Sequence, residues 1–314
     1  MMLNKLLNIK YPIIQGAMAN IATAEFAAAV SNCGALGIIG TGAMNVDEAR
    51  NSVIKCKSLT DKPFGVNVML MNPYSAEIID MLCEEKVCVV TTGAGNPGPY
   101  IKKLKNADIK VIPVVPSVAL AIRMERNGAD ALIVEGSEAG GHVGEQTTMA
   151  LVPQVCDAVN IPVIAAGGIA DGRGFNAAIS LGAQGVQVGT CLLVACECPI
   201  HENYKLAILK AKDTDTVVTG RSIGTPVRIL KNKLAKEYIK LEGSLTDREE
   251  MERLTLGSLR KAVFDGDMKF GSVMMGQIAG LCNEIKPLQK IIDFIMEDSK
   301  KQKEVLISKL KECL

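Results

Sequence analysis

A (β/α)8 TIM barrel of the α/β class, with a small helical lid subdomain near the C-terminus, is the fold this sequence predicts, and three observations predict it. Short β-branched runs ending in Gly, Asn or Thr recur at intervals of roughly 20 to 32 residues. Each is followed by a stretch with the apolar periodicity of an amphipathic helix. The runs are apolar without alternation, the mark of strands buried on both faces of a parallel sheet. In order they are Ile13-Ile14-Gln15-Gly16, Ala35 to Gly40, Gly65 to Val68, Val87 to Thr91, Val111 to Val115, Ala131 to Glu135, Val163 to Ala166 and Gly185 to Val188. Eight such units match a closed barrel. An open doubly wound sheet would carry G-x-G-x-x-G after an early strand, whereas Gly93-Ala94-Gly95 runs into Asn96-Pro97-Gly98-Pro99, whose prolines spoil a cofactor-cradling helix start.

After residue 200 the character changes. The first 200 residues hold 31 charged side chains and the remaining 114 hold 38, so the second part reads as surface helices. Lys231 to Leu241 and Arg248 to Leu259 are predicted helices joined by Glu242-Gly243-Ser244, with Asp247 as a candidate cap. Residues 1–212 are therefore assigned to the barrel, 213–270 to a lid on the substrate side, and 271–314 to a return segment and C-terminal helices packed on the barrel. In that tail Ile291, Ile292, Ile295, Leu306, Leu310 and Leu314 are expected on apolar faces.

Composition narrows the function. With 35 Lys+Arg against 34 Asp+Glu the net charge is +1, which argues against a protein that coats nucleic acid or binds membranes electrostatically. Aromatics are only 4% while glycines number 29, a balance suited to backbones that approach a ligand closely. Ten cysteines with no CxxC pair and two histidines do not make a zinc site, so no metal centre is expected. The N-terminal residues lack a signal-peptide core, and a reducing, cytoplasmic location is expected.

Barrel chemistry sits at the carboxyl ends of the strands. There the sequence places Gly16-Ala17-Met18, Asn67, Thr91-Thr92-Gly93, Glu135, Ala166-Gly167-Gly168 and Gly189-Thr190. Gly167-Gly168 after strand seven and Gly189-Thr190 after strand eight stand where barrels bind phosphate. Either alone could be a tight turn; together they point to a phosphate held by backbone amides. His142 lies in the glycine-rich loop Gly140-Gly141-His142-Val143-Gly144, which buries little and admits a ligand, so it is the candidate catalytic residue. His201, at a helix start, is expected at the surface. Glu135, shielded at a strand end, needs a ligand hydroxyl or a structural donor as partner. Met18, Met274 and Met275 are either pocket lining or core filler.

Pro12-Ile13-Ile14-Gln15-Gly16-Ala17-Met18, Gly65-Val66-Asn67, Glu135-Gly136-x-Glu138-Ala139-Gly140-Gly141-His142-x-Gly144, Ala166-Gly167-Gly168-Ile169 and Val188-Gly189-Thr190 resemble the FMN-dependent superfamily of nitronate monooxygenases and type II enoyl-ACP reductases, across nearly the whole chain. Thr147 to Gln154 and Met274-Met275-Gly276-Gln277 look more like the bacterial enoyl-acyl-carrier-protein reductases. The resemblance implies FMN with its phosphate on Gly167, Gly168, Gly189 and Thr190 and its ring beside Ala17, Met18 and Asn67. Gly16, Thr92, Gly140, Gly141 and Ala166 complete the implied cofactor shell, with Glu135 at the ribityl chain or ring edge and Met275 and Gln277 approaching from the return segment. It also implies NADPH or NADH as hydride donor, acyl carrier protein as the carrier of the enoyl substrate, a homodimer, and stimulation by a monovalent cation for which no ligand is evident. His142 would stabilise an enolate or relay a proton. A nitronate monooxygenase sharing the flavin and histidine is the alternative; a flavin- or phosphate-binding barrel without turnover is another. A dehydrogenase of the inosine-monophosphate type would need a nucleophilic cysteine after strand six, and residues 135–145 contain none. An acidic carrier protein would dock on a local basic patch, for which Arg221, Arg228, Lys231, Lys233 and Lys236 are the candidates.

Overall fold

The computed structural model describes residues 1–244 and 248–313; Asp247 and Leu314 lie outside them. Eight parallel strands form the barrel: β1 (Ile13–Gln15), β2 (Gly37–Gly40), β3 (Phe64–Met69), β4 (Val89–Gly93), β5 (Lys110–Val115), β6 (Leu132–Glu135), and then, after the two-residue β7 (Gly141–His142), β8 (Val163–Ala166) and β9 (Gly185–Val188). The order around the sheet is β1-β9-β8-β6-β5-β4-β3-β2. Between β1 and β2 the ring is closed by the amide of Gln15 donating to Leu36 O at 2.9 Å and that of Leu36 donating to Ile13 O at 2.9 Å. Gln15 itself is wholly buried and bridges the same seam, its side chain donating to Ile38 O at 3.3 Å. All eight runs read from the sequence are strands, with ends that move by at most two residues.

The apolar runs divide their side chains between two cores. Ile14, Ile38, Val89, Ile112, Ile133 and Ile164 point inward and fill the barrel. Their neighbours Ile39, Val66, Val90 and Val111 pack outward against the surrounding helices, and Ile13, Leu132, Val163 and Val186 do the same on the other side. Leu3 and Leu7 join the interior set, and the Leu3 amide donates to Gln184 O at 3.0 Å just before β9, so the N-terminal turn plugs the amino end of the barrel. The opposite, carboxyl end is left to the loops.

Helix starts follow ordinary capping chemistry. Asn45 and Glu48 form a reciprocal capping box at Val46–Leu59, and Asp171 accepts from the amides of Arg173 and Gly174 at 3.0 and 3.1 Å to open Gly172–Ser180. His201 caps Glu202–Lys210, accepting from the Asn203 amide at 3.1 Å, and is exposed.

Beyond the barrel the structure adds an element to the expected helices. Two strands, β10 (Thr216–Thr219) and β11 (Val227–Leu230), form an antiparallel hairpin that continues onto β7. Helices Lys233–Gly243, Arg248–Thr255 and Ser258–Val263 follow. The second expected helix is split because Gly257 takes φ +72°, the left-handed conformation that ends a helix. The tail is one helix, Leu288–Cys313, bound to Gly172–Ser180 by Asn176 Nδ2 donating to Ser299 O at 2.8 Å and Ser299 Oγ donating to Asn176 Oδ1 at 2.6 Å. Leu288, Ile291, Ile292 and Ile295 are buried there, but Leu306 and Leu310 are exposed, against expectation, because the last turns extend past the helix they would cover. Among the described residues no helix is long and apolar enough to cross a membrane.

Candidate active site

The register of the barrel sets the glycines of one wall side by side. Gln15 pairs with Val188, Ala166 with Gln187 and Glu135 with Ala166, so the residues that follow, Gly16, Gly189, Gly167 and Gly136, share the carboxyl edge of four adjacent strands. Gly167 and Gly168 have φ of +94° and +74°, a conformation that costs little only without a Cβ. A Cβ on Gly167 would stand 2.9 Å from Gly136 O. Thr190 begins the short helix Thr190–Leu193 after Gly189; its Oγ1 accepts from the Gly276 amide at 2.9 Å, leaving the hydroxyl proton to donate elsewhere. Ala166 has its methyl in the barrel core and offers the mouth only its carbonyl, which accepts from the Gly136 amide at 3.0 Å.

Across the mouth Asn67 Nδ2 donates to Thr91 Oγ1 at 3.0 Å. Thr92, at the next register position, falls on the outer face with Val68 and Val90 rather than in the mouth, because side chains alternate along a strand, and its hydroxyl is buried there without a hydrogen-bond partner. Ala17 is exposed and Met18 half-buried, and the Met18 sulfur lies 3.6 Å from where a Gly189 Cβ would stand. Glu135 ends β6 half-buried, and burial pushes its pKa up to about 7. A protonated carboxyl there is a hydrogen-bond donor as well as an acceptor.

The loop after β6 is built rather than slack. Glu138 turns back to receive the Thr148 amide at 2.9 Å and the Thr148 hydroxyl at 3.0 Å, capping Thr148–Ala158. Gly140 is pressed against the return segment, where a Cβ would lie 2.6 Å from Met275 C. Gly141 and His142 then pair with Arg228 and Val227 of β11, and the Val143 amide donates to Pro226 O at 3.1 Å. His142 is thus presented by a strand, open to solvent at its edge yet flanked closely enough that burial lowers its pKa and favours the neutral imidazole. In the return segment the Gln277 amide donates to Glu138 O at 2.9 Å and Tyr204 Oη donates to Met274 O at 2.7 Å. Met275 is fully buried in the core while Gln277 is exposed.

Arg228 is the residue whose place differs most from the sequence reading. Expected on a basic rim, it is 7% exposed; its Nε and Nη2 donate to Ser137 O at 3.0 and 2.9 Å and its Nη1 to Thr216 Oγ1 at 3.0 Å. It fastens the hairpin to the histidine loop. Arg221 pairs with Glu145, and Lys233 lies 3.7 Å from Glu237 and over the Phe270 ring. The expected patch shrinks to Lys231 and Lys236, both exposed, with Lys233 partly neutralised. Thr148 and Tyr204 are not among the residues the sequence points to, and Arg228 is expected there only as a docking residue; an arginine inside the apolar run Val227-Arg228-Ile229-Leu230 is the one trace of its structural role that the sequence offers.

The chain is similar to known proteins along nearly its whole length. The family model described as nitronate monooxygenase matches residues 1–81 and 71–298. A probable nitronate monooxygenase of Staphylococcus aureus strain MRSA252 is 37% identical, covering 88% of this chain and 90% of its own. The solved structure of FabK from Thermotoga maritima is 49% identical and superposes with a TM-score of 0.95 over 98% of both chains. That of nitroalkane oxidase from Streptomyces ansochromogenes is 25% identical, with a TM-score of 0.86 over 97% of this chain and 99% of that one. The chain belongs to the nitronate monooxygenase family. It is an FMN-dependent oxidoreductase and, within that superfamily, resembles FabK.

The mouth fits such a cofactor. It offers the glycine backbone of Gly167, Gly168 and Gly189 on one wall, the Asn67 and Thr91 side chains on the other and a half-buried Glu135 carboxyl between them. No group of three or more potential metal ligands occurs among the described residues.

Proposed function

We propose that this protein reduces trans-2-enoyl thioesters carried on acyl carrier protein, taking hydride from NADPH or NADH. The observation that carries the reading is the likeness to FabK, at 49% identity over 98% of both chains, joined to a histidine presented over the barrel mouth. In this reading the amides of Gly167, Gly168 and Gly189 and the hydroxyl of Thr190 hold the FMN phosphate, Asn67, Ala17 and Met18 border the ring, and Glu135 donates to the ribityl chain or ring edge. FMN, when bound, supplies hydride transfer from the nicotinamide to the enoyl β-carbon. Hydride addition leaves negative charge on the thioester oxygen. A neutral His142 donates a hydrogen bond to that oxygen and holds the path by which a proton reaches the α-carbon. The β7 and β11 pairing and the Arg228 clamp orient the imidazole before substrate arrives, which is where such stabilisation gains its strength. The test is anaerobic: NADPH consumption in step with saturated thioester formation supports the reading, and no saturated product overturns it.

A second reading has its own observation. A neutral imidazole is also a base, suited to accepting a proton α to a nitro group, and the Staphylococcus aureus relative is named a probable nitronate monooxygenase. Oxygen uptake with an alkyl nitronate measures that activity.

A further inference from the structure

We propose that a cavity inside the lid receives the acyl tail of the substrate, an inference that rests on reading the substrate as an enoyl thioester. The cavity is about 220 Å³ and lies between the β10–β11 hairpin and the lid helices, with Ile223, Val227, Ile229, Leu234, Leu259 and Met274 on its wall.

Three neighbouring residues, Val227, Ile229 and Met274, connect it to the histidine strand. Val227 stands directly opposite His142 in the β7–β11 register, so the two side chains share a face of the sheet. Ile229, two residues along, lies on that face, bridges to Met274 and lines the same cavity. The Met274 sulfur in turn lies 3.5 Å from where a Cβ on Gly141 would stand. A thioester whose oxygen meets His142 therefore has this cavity along the sheet surface next to it.

The lining selects an apolar guest. Among the described residues no charged side chain lines the cavity, a surface that disfavours the phosphates of a nucleotide. Its hydroxyls are largely engaged within the protein: Ser258 and Ser272 Oγ lie 2.7 Å apart, Ser258 Oγ donates to Thr255 O at 2.6 Å, and Thr219 Oγ1 donates to Val227 O at 3.4 Å. At about 30 Å³ for each water-sized group the volume holds a chain of medium length. A neighbouring cavity of about 370 Å³, bordered by Lys261, Asp265 and Asp267, lacks this character.

The experiment is a chain-length series of trans-2-enoyl thioesters from four to twelve carbons, with wild type, Leu259→Trp and Ile223→Phe. In wild type, kcat/KM should climb by up to about fourfold per buried methylene and then level off once the cavity is full. In each variant the ratio of ten-carbon to four-carbon kcat/KM should fall by about tenfold or more. A flat wild-type series, or ratios unchanged in both variants, overturns the proposal. Calorimetric binding of saturated acyl-CoA of four and ten carbons to the wild-type holoenzyme needs neither turnover nor a folded variant. If no enoyl thioester is reduced, the functional reading falls, while affinity that rises with chain length still supports the pocket and equal affinity overturns it.

Discussion

His142 and Glu135 are both driven toward their neutral forms by burial, one by a lowered pKa and the other by a raised one. For His142 the neutral state then persists below the usual midpoint near 6.5, and the acid limb of kcat/KM should lie under that value. His142→Ala should retain flavin, lose that limb and fall on the order of 10²- to 10³-fold in enoyl reduction. Full activity in the variant would show that the loop acts through its backbone. For Glu135 the sign runs the other way. Between pH 4.5 and about 7 the folded protein keeps a proton that the unfolded chain has released, so the stability this group contributes is lost as pH rises through 7. Glu135→Gln should match the parent near pH 4.5 and exceed it at pH 8, by on the order of 1–3 kcal/mol, in denaturant titrations of flavin-free protein. Equal stability at both pH values would mean the carboxyl is solvated.

The element that organises the site is the small sheet of β7, β10 and β11, and Arg228 is what holds it. Arg228→Met leaves Ser137 O without its two donors and should cost about 2–4 kcal/mol of stability. Enoyl turnover should fall with it as His142 loses its fixed orientation. Arg228→Lys should rescue neither fully, since one ammonium cannot reproduce a planar fork. Wild-type urea midpoints and kcat in the methionine variant would assign the orientation to strand pairing alone. This sheet was invisible in the sequence for a physical reason. Thr216–Thr219 and Val227–Leu230 are four-residue strands in a charged region, and their partner is two residues of a glycine-rich loop, so nothing local signals the pairing. The barrel strands were legible because each is buried on both faces and must be apolar throughout. The strand-end glycines and His142 were legible with them, being located by the runs they follow. The ties that hold those residues, Arg228 to Ser137 and Gly276 to Thr190, link positions 91 and 86 residues apart, and no spacing rule reaches that far.

At the scale of the whole molecule a net charge of +1 gives no long-range pull on an acidic carrier, so any steering must be local. With Arg228 buried and Arg221 paired, Lys231 and Lys236 are the exposed candidates. Their double reversal to glutamate should raise KM for a carrier-bound enoyl substrate, more at low salt, and spare the CoA thioester, because steering acts on encounter and is screened within about 8–10 Å at physiological salt. Equal effects on both substrates would place the docking surface elsewhere. The account rests finally on what the reduced flavin is oxidised by. The most direct measurement splits one purified, yellow preparation: one half is reduced anaerobically with NADPH and mixed with crotonyl thioester without oxygen, the other is left oxidised and mixed with an alkyl nitronate in air, comparing kcat/KM for the two. The account predicts reoxidation by the enoyl thioester with saturated thioester as product, at least about 100-fold more efficient than nitronate oxidation, a gap of the size one well-placed oxyanion donor provides. Flavin that stays reduced in the presence of crotonyl thioester, while the nitronate is consumed with oxygen, would contradict it.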